Sequence, residues 1–174
     1  LHSQGVQKFT AFTHMEYLIL AFLIMHKLVT KCKMKPQVSI VRVENSLGDA
    51  VREAVNLLGG IESFIESDGS YLIKPNLFTT IPSEKGATTD LRIFMTLARM
   101  IKEKNARPVV GEFPATASYA RPDIVFDNLG VRETCQEEDV EINVLDREEP
   151  VQVKNSSAEV LDEFWFPKFS LDCE

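Results

Sequence analysis

Histidine is missing from most of this 174-residue chain. The three histidines are His2, His14 and His26, and none occurs after position 26. Proton transfer in the rest of the chain must therefore use Lys, Asp, Glu, Tyr or Cys side chains. The same absence argues against a Ser–His–Asp or Cys–His catalytic arrangement in residues 34–174.

Cysteine is also scarce: Cys32, Cys135 and Cys173 lie far apart, and no C-x-x-C motif occurs. Neither a zinc nor an iron–sulfur ligand set can be identified from this spacing, so we expect no metal ligands in this sequence. Sparse thiols without a disulfide framework are typical of a reducing compartment. The sequence therefore predicts a cytoplasmic protein whose three thiols are inert.

Positive charge is in the minority. The chain has 19 Lys and Arg against 26 Asp and Glu, a formal net charge of -7. Nucleic-acid binding needs clustered Lys and Arg to meet phosphates, so we expect no nucleic-acid partner. The remaining composition, 44% hydrophobic and 26% charged, is typical of a globular protein with one core.

No apolar run is long enough to cross a bilayer. The longest, "YLILAFLIM", covers nine residues from Tyr17 to Met25, whereas a spanning helix needs about 20. Met34 reads as an initiation point, so residues 1–33 are interpreted as an N-terminal extension, an apolar helix of non-native origin. Membrane contact by residues 17–29 and an ordinary packed helix are the alternatives. Residues 34–174 would then form a partial α/β domain.

The patterns of the main domain alternate between strand and helix. Apolar residues at helical spacing and short β-branched runs predict these elements: strand 38–44, helix 47–58, strand 71–77, helix 91–106, strand 108–113, helices 121–130 and 131–139, strands 140–146 and 151–155, and an extended edge at 163–169. Repeated strand–helix units are typical of parallel sheets. The predicted fold class is α/β, a three-layer, mostly parallel sheet with flanking helices, in a truncated domain.

Polar residues follow the predicted strands at their carboxyl ends, where open α/β sheets bind ligands. Lys74 and Asn76 end the strand "YLIKPN", Glu112 ends the next strand, and Asp146 ends a later one. Glu112 could orient Lys74, bind a hydroxyl group or hold a metal through water. Asp146 is a further ligand by topology alone.

The segment "KGATTD" (85–90) lies before the clearest helix of the chain. Gly86 would allow close approach of a ligand, Thr88 and Thr89 offer hydroxyl groups, and the first amides of a helix are free donors at its positive end. Together these residues predict a phosphate or carboxylate site. The ligand-binding residues of the prediction are Lys74, Asn76, Gly86, Thr88, Thr89 and Glu112.

Simpler interpretations stay open for each of these residues. Neither G-x-x-x-x-G-K-[ST] nor G-x-G-x-x-G occurs, so no nucleotide-binding motif supports the site. Thr88 or Thr89 could simply cap the helix, Lys74 could extend from a strand end into solvent, and Glu112 could pair with a surface cation.

Several motifs in order resemble one known family. "VSIVRVEN", "AVREAVNLLGG", "YLIKPNL", "GATTDLRIFMTLARMIKEKNARPVVGEFP" and "NLGVRE" look like the opening half of the family called domain of unknown function 362, over residues 36–174. The resemblance places Lys74, Asn76, Thr88, Thr89 and Glu112 on the polar motif positions of the family. Its members are bacterial and archaeal and largely uncharacterised.

The resemblance also implies what this chain would lack. Many members carry a cysteine cluster that binds four-iron, four-sulfur centres, and a later Lys- and His-containing block follows a strand like "FSLDCE". Both would lie beyond Glu174, so the chain is expected to be a fragment with no cofactor of its own. The layout of strand, Lys-Pro, loop and helix is also similar, as an analogy of architecture, to the N-terminal domain of lactate racemases, which holds a phosphorylated nickel-pincer cofactor.

Two functions are compatible with the residues and the resemblance. The first is binding of an anionic or phosphorylated ligand as part of a redox or iron–sulfur-associated enzyme, completed by the missing half. The second is a non-catalytic binding or scaffold module in which the same residues only shape a crevice or cap a helix. No reaction follows from the sequence.

Overall fold

The computed structural model describes residues 17–20, 37–66, 68–114, 123–157 and 159–173. The strands are β1 (Tyr17–Leu20), β2 (Ser39–Arg42), β3 (Ser70–Ile73), β4 (Arg107–Glu112), β5 (Glu141–Val144), β6 (Pro150–Lys154) and β7 (Glu163–Pro167). The α-helices are α1 (Leu47–Leu57), α2 (Leu91–Lys102), α3 (Asp123–Asn128), α4 (Val131–Glu137) and α5 (Phe169–Asp172).

A three-stranded parallel sheet in the order β3-β4-β5 organises the domain. Helix α2 connects β3 to β4, and α3 and α4 lie between β4 and β5. The central strand β4 is buried on both faces because helices cover parallel sheets; Val109 and Val110 are fully buried. The predicted α/β fold, with a parallel sheet flanked by helices, is confirmed.

Helix α2 supplies much of the core. Its buried apolar side chains are Phe94, Met95, Leu97, Ala98, Met100 and Ile101. They pack with residues from β3, β4, α3 and α4 in one apolar cluster. The opposite face of α2 keeps Arg92, Arg99 and Lys102 exposed, as its amphipathic pattern predicts.

Strand β2 does not join the parallel sheet. Among the described residues it pairs only with β1, antiparallel, with Ile40 opposite Ile19. Alternate residues of β2 are buried and exposed: Val41 packs on α1, whereas Ile40 is 57% exposed. Such alternation marks a strand covered on one face, so the inclusion of residues 38–44 in the parallel run is wrong.

The predicted apolar helix in the N-terminal extension is also wrong for Tyr17–Leu20, which form β1. A short apolar run is compatible with a strand or a helix, and here the backbone groups of β2 provide its partner. The rest of residues 1–33 lies outside the described residues.

The last elements form a separate antiparallel pair, in which Gln152 of β6 lies opposite Trp165 of β7. The predicted strands near 151–155 and 163–169 are therefore present, but they pair with each other and do not form an edge of the parallel sheet. Phe164 and Phe166 share one face in an edge-to-face contact, while Trp165 on the other face is 67% exposed and so is not a core residue. "FSLD" is helix α5 and not a strand.

Candidate anion site at the carboxyl edge of the sheet

Three parallel strands bring charged residues to one edge of the sheet. Ile73 of β3 lies opposite Val110, so Lys74 follows directly at the carboxyl end. Glu112 ends β4 and lies opposite Val144, the last residue of β5. Asp146 comes two residues later, in a 3-10 turn over Leu145–Arg147. We call Lys74, Glu112 and Asp146 the carboxyl-edge site.

Lys74 and Glu112 form a direct ion pair across the first two strands. The Nζ atom of Lys74 lies 2.5 Å from Oε1 of Glu112, and their side chains are 52% and 3% exposed. Two backbone amides also donate to this carboxylate, Leu77 N to Oε2 at 3.3 Å and Phe113 N to Oε1 at 2.7 Å. A buried carboxylate is stable when it is paired and hydrogen-bonded in this way. Glu112 is thus a positioned residue and not a surface ion partner.

The local sequence explains this arrangement. Pro75 cannot donate to a strand partner, so β3 stops there, and the fully buried Leu77 returns the chain to the core. Its amide then faces Glu112. Gly111, just before Glu112, has no space for a side chain: an added Cβ atom would lie 2.8 Å from Leu72 Cδ1 and 3.2 Å from the carbonyl oxygen of Asn143.

The loop between β3 and α2 is held by hydrogen bonds of Asn76, Thr88 and Thr89. The amide of Asn76 donates to Thr89 Oγ1 at 2.9 Å, and the amide of Thr89 donates to the carbonyl of Asn76 at 2.9 Å. The Asn76 side chain donates to the carbonyl of Ala87, and the buried Thr88 hydroxyl donates to the carbonyl of Ile81. These hydrogen bonds fix the conformation of the segment between β3 and α2.

Gly86 ends the short 3-10 turn Ser83–Lys85 with a left-handed backbone, φ 75°. It is exposed, and an added Cβ atom would have no atom within 4 Å. Its role in the described structure is conformational.

Asp90, not Thr88 or Thr89, is the N-cap of α2. Its carboxylate accepts a hydrogen bond from the amide of Arg92 at 2.9 Å, and it also pairs with the Arg92 guanidinium. The hydrogen bond from Arg92 lowers the pKa of the Asp90 carboxyl, against a smaller rise caused by burial. The prediction of free amides is wrong for Thr89 and Arg92, whose amides are bonded. An Asp directly before an amphipathic run is itself an N-cap signal.

Two cavities adjoin this helix start, of about 430 Å³ and about 800 Å³. Both are lined by Thr88, Thr89, Glu84 and Asp90, and neither is lined by Lys74, Asn76, Gly86 or Glu112. The structure therefore joins Lys74 to Glu112, and Asn76 to Thr89, but it does not bring all six predicted residues around one of these cavities. Both cavities are also lined by Arg92, so acidic and basic side chains lie around each of them.

The Asp146 carboxyl, the third group of the carboxyl-edge site, has a raised pKa. Partial burial raises the pKa of its carboxyl above the ordinary value, and the negative charge of Glu112 raises it further, while a hydrogen bond from its own amide lowers it. The side chain is still exposed, so desolvation is incomplete. The contribution of Glu112 means that the two carboxyl groups interact electrostatically.

In the described ranges, His, Cys, Asp and Glu side chains nowhere form a group of three or more that could hold a metal ion. None of the helices that the structure describes has the length and apolar character to cross a membrane.

Comparison with known proteins identifies the family. No curated protein and no solved structure matches the chain. One family model matches residues 72–174, more than half of the chain, and is described as Domain of unknown function (DUF362). The match includes the end of β3, the loop with Asn76 and Thr89, and all of the carboxyl-edge site. The chain therefore belongs to the DUF362 family.

Proposed function

We propose that this chain binds a small anionic or phosphorylated ligand at the carboxyl-edge site, with Lys74 as the cation that contacts the ligand. The ion pair with Glu112 supports this proposal. It fixes the position of an ammonium group at the edge where open α/β sheets bind ligands, and it leaves half of the Lys74 side chain exposed.

Each residue of the prediction has a role in this proposal. The described contacts of the Lys74 ammonium use one of its three donors, so further donors are available for phosphate or carboxylate oxygens. Glu112 positions Lys74 and does not contact the ligand, because its two oxygens accept from Lys74, Leu77 and Phe113. Asn76, Gly86, Thr88 and Thr89 shape the loop that bounds the site.

The test is isothermal titration of the protein with inorganic phosphate. Lys74→Met keeps an apolar side chain of similar length and removes the charge. Loss of a charge-assisted hydrogen bond, about 1.5–3 kcal/mol, should weaken binding at least about tenfold. Lys154→Met is the matched control, since Lys154 is also exposed and pairs with Glu163 at 3.0 Å, but it lies on β6; its affinity should stay at the wild-type value. Equal affinity in Lys74→Met and wild type would remove Lys74 from the site.

The second candidate function is a scaffold module without a ligand. The observation that favours it is the complete use of the Asn76 amide, the Thr88 hydroxyl and the Thr89 amide inside the loop. In that case wild type would bind no phosphate, and Asn76→Ala would reduce only stability. The titration above separates the two functions.

The family resemblance extends the first proposal to a redox or iron–sulfur-associated enzyme. A four-iron, four-sulfur cluster needs four cysteine thiolates, whereas this sequence has three cysteines. Cys135 is fully buried in the apolar core, where burial raises the pKa of its thiol to about 11. The residues of this chain therefore do not fit such a cluster, and its ligands would have to come from outside this sequence.

Iron content and the absorption spectrum of the full-length protein test that extension. Iron with a charge-transfer absorption band would support it. A colourless, iron-free protein would overturn the redox association and leave the anion site unaffected.

A further inference from the structure

The outer edge of β7 has no backbone partner among the described residues. Strands β6 and β7 form a sheet of two strands, and such a pair is only marginally stable in water without a further strand or a packed face. An edge strand exposes N–H and C=O groups that can pair with another strand. The β6–β7 pair can therefore accept a third strand on its free side.

Hydrogen bonds on either side of this pair show which backbone groups of β7 point outward. The amide of Asn155 donates to the carbonyl of Asp162 at 2.8 Å, and the amide of Lys168 donates to the carbonyl of Glu149 at 3.1 Å. Hydrogen-bonded and non-hydrogen-bonded positions alternate along an antiparallel pair, so the even-numbered residues of β7 direct their backbone groups at β6. The odd-numbered residues direct theirs away from it: Glu163, Trp165 and Pro167.

The middle of this edge is aromatic and uncharged. Phe164 and Phe166 lie on one face, both half-buried, with ring centroids 6.1 Å apart, and Trp165 on the other face is 67% exposed. Many edge strands carry charged side chains that keep other strands away. In β7 only Glu163, at its start, is charged.

These groups restrict how β7 could pair with its own copy. Only outward-pointing groups can meet, so a two-fold antiparallel contact within the strand can be centred on Glu163, Phe164 or Trp165. A centre on Glu163 would oppose two like charges, which destabilises a sheet. A centre on Trp165 or beyond would need Pro167, which is buried and has no N–H group. A centre on Phe164 needs only the exposed residues Glu163 and Trp165, whose backbone groups then exchange both N–H···O bonds.

We propose that two copies of this chain associate in this way, by antiparallel pairing of β7 with β7 about a two-fold axis at Phe164. The two Phe164 side chains then face each other at a non-hydrogen-bonded position, where cross-strand side chains are closest, and aromatic pairs stabilise a sheet. Glu163 faces Trp165 of the second copy and not another carboxylate. This inference is independent of the proposed function and concerns a different part of the chain.

The contact should be weak and reversible. Each strand has five residues, and a contact of that length lies at the small end of interface sizes, below about 1,200 Å². Half-buried apolar side chains cover one face of the β6–β7 pair: Val151, Val153, Phe164 and Phe166. Pairing extends this face into a four-stranded sheet, so we expect the dimer to be favoured over the monomer as the protein concentration rises.

Sedimentation equilibrium of the whole chain over a range of concentrations tests the dimer and its register. Trp165→Glu places a carboxylate opposite Glu163 of the second copy, whereas Trp165→Lys places an ammonium group there. The dimer dissociation constant of Trp165→Glu should be at least about tenfold higher than that of Trp165→Lys. Gln152→Glu is the matched control, because Gln152 lies opposite Trp165 within one chain but on the other strand. It should dimerise like wild type, and circular dichroism checks that each variant folds.

Disulfide formation tests the register without a charge. In a Cys32→Ser/Cys173→Ser background, Phe164→Cys should form an intermolecular disulfide under mild oxidation, because the Cα atoms of such a pair lie about 4.5 Å apart. Phe166→Cys is the control on the same face. Its two copies would lie four residue steps apart, about 13 Å, too far for a disulfide.

A wild-type protein that stays monomeric at every concentration would overturn this inference, and so would an assembly that grows beyond a dimer, since head-to-tail pairing of β6 with β7 does not close. Equal dissociation constants for Trp165→Glu and Trp165→Lys would overturn it as well. Weakening by Gln152→Glu as large as that by Trp165→Glu, or equal cross-linking of Phe164→Cys and Phe166→Cys, would show that the contact is not the β7 edge in this register.

Discussion

The ammonium group of Lys74 lies 2.5 Å from the carboxylate of Glu112, yet one side chain is half exposed and the other is almost completely buried. The pair therefore has an inner and an outer member. Removing the outer charge leaves a buried carboxylate with only two amides, whereas removing the inner charge leaves a lysine that can still reach water.

This asymmetry predicts the stability of single and double variants. Lys74→Met should lower the free energy of unfolding by about 1–3 kcal/mol, because a buried acceptor loses a charged partner. Glu112→Gln should cost a similar amount, since the two amides lose a charged acceptor. The double variant should cost less than the sum, with a coupling energy of about 0.5–3 kcal/mol. Urea unfolding followed by circular dichroism measures all four proteins, and strict additivity would show that the pair contributes no interaction energy.

Replacing Asp146 by Asn should increase the stability of the fold by an amount that depends on pH. Its folded-state pKa is raised above the ordinary value of 3.8, so the folded state binds this proton more tightly than the unfolded state. Ionised Asp146 therefore destabilises the fold above its raised pKa, and the effect disappears below the unfolded value.

Asp146→Asn should accordingly be more stable than wild type at neutral pH by a few tenths of a kcal/mol, roughly the size expected for an exposed, screened charge. The two proteins should be equally stable near pH 3. Thermal unfolding at both pH values measures the difference, and Glu149→Gln is the control, because Glu149 is exposed and lies outside the parallel sheet. A gain at pH 3 that equals the gain at neutral pH would contradict the charge argument.

Substitution by alanine should lower the free energy of unfolding at both Gly111 and Gly86, but for different reasons. In Gly111→Ala the added Cβ atom meets Leu72 and the backbone oxygen of Asn143, so overpacking should cost about 1–3 kcal/mol. In Gly86→Ala nothing lies within 4 Å, and the left-handed φ of +75° alone should cost about 1 kcal/mol. Phosphate binding separates them further: Gly111→Ala should disturb the adjacent Glu112 and weaken binding, and Gly86→Ala should not. Equal affinities in the two variants would contradict this.

The two described thiols should differ in reactivity. Cys135 is fully buried, and burial raises the pKa of its thiol to about 11, whereas Cys173 is only partly buried. The reactive species is the accessible thiolate. In a Cys32→Ser background at pH 8, a thiol reagent should modify Cys173 at least about tenfold faster than Cys135, and denaturant should remove the difference. Peptide mapping by mass spectrometry identifies the modified residue; equal rates in the folded protein would contradict the core position of Cys135.

The proximity of Lys74 and Glu112 could be predicted from the sequence because it depends on local patterns. Each residue ends a recognisable strand, and consecutive parallel strands end at one edge of a sheet. The N-cap role of Asp90 could also have been predicted, because Asp90 directly precedes an amphipathic helix. Thr88 and Thr89, just before it, are also favoured N-cap residue types.

Other contacts could not be predicted, because they depend on residues distant in the chain. The amide of Leu77 reaches Glu112 across 35 positions, and no periodicity indicates which loop amide will face a strand end. The position of β2 depends on its partner β1. The alternation of apolar and polar residues in β2 predicts a strand that is buried on one face, but it does not predict which element covers that face. A tryptophan between two phenylalanines resembles a core residue, but in the part of the chain that the structure describes β7 pairs only with β6, and Trp165 lies on its exposed face.

That exposed position has a practical consequence for spectroscopy. Trp165 is the only tryptophan of the chain, and it lies on the outer face of a strand pair that is separate from the parallel sheet. Its fluorescence emission should already be that of a water-exposed indole in the native protein, so emission will change little when the core around Phe94 and Phe126 melts. The same indole is, for that reason, a specific reporter of anything that covers the β6–β7 face.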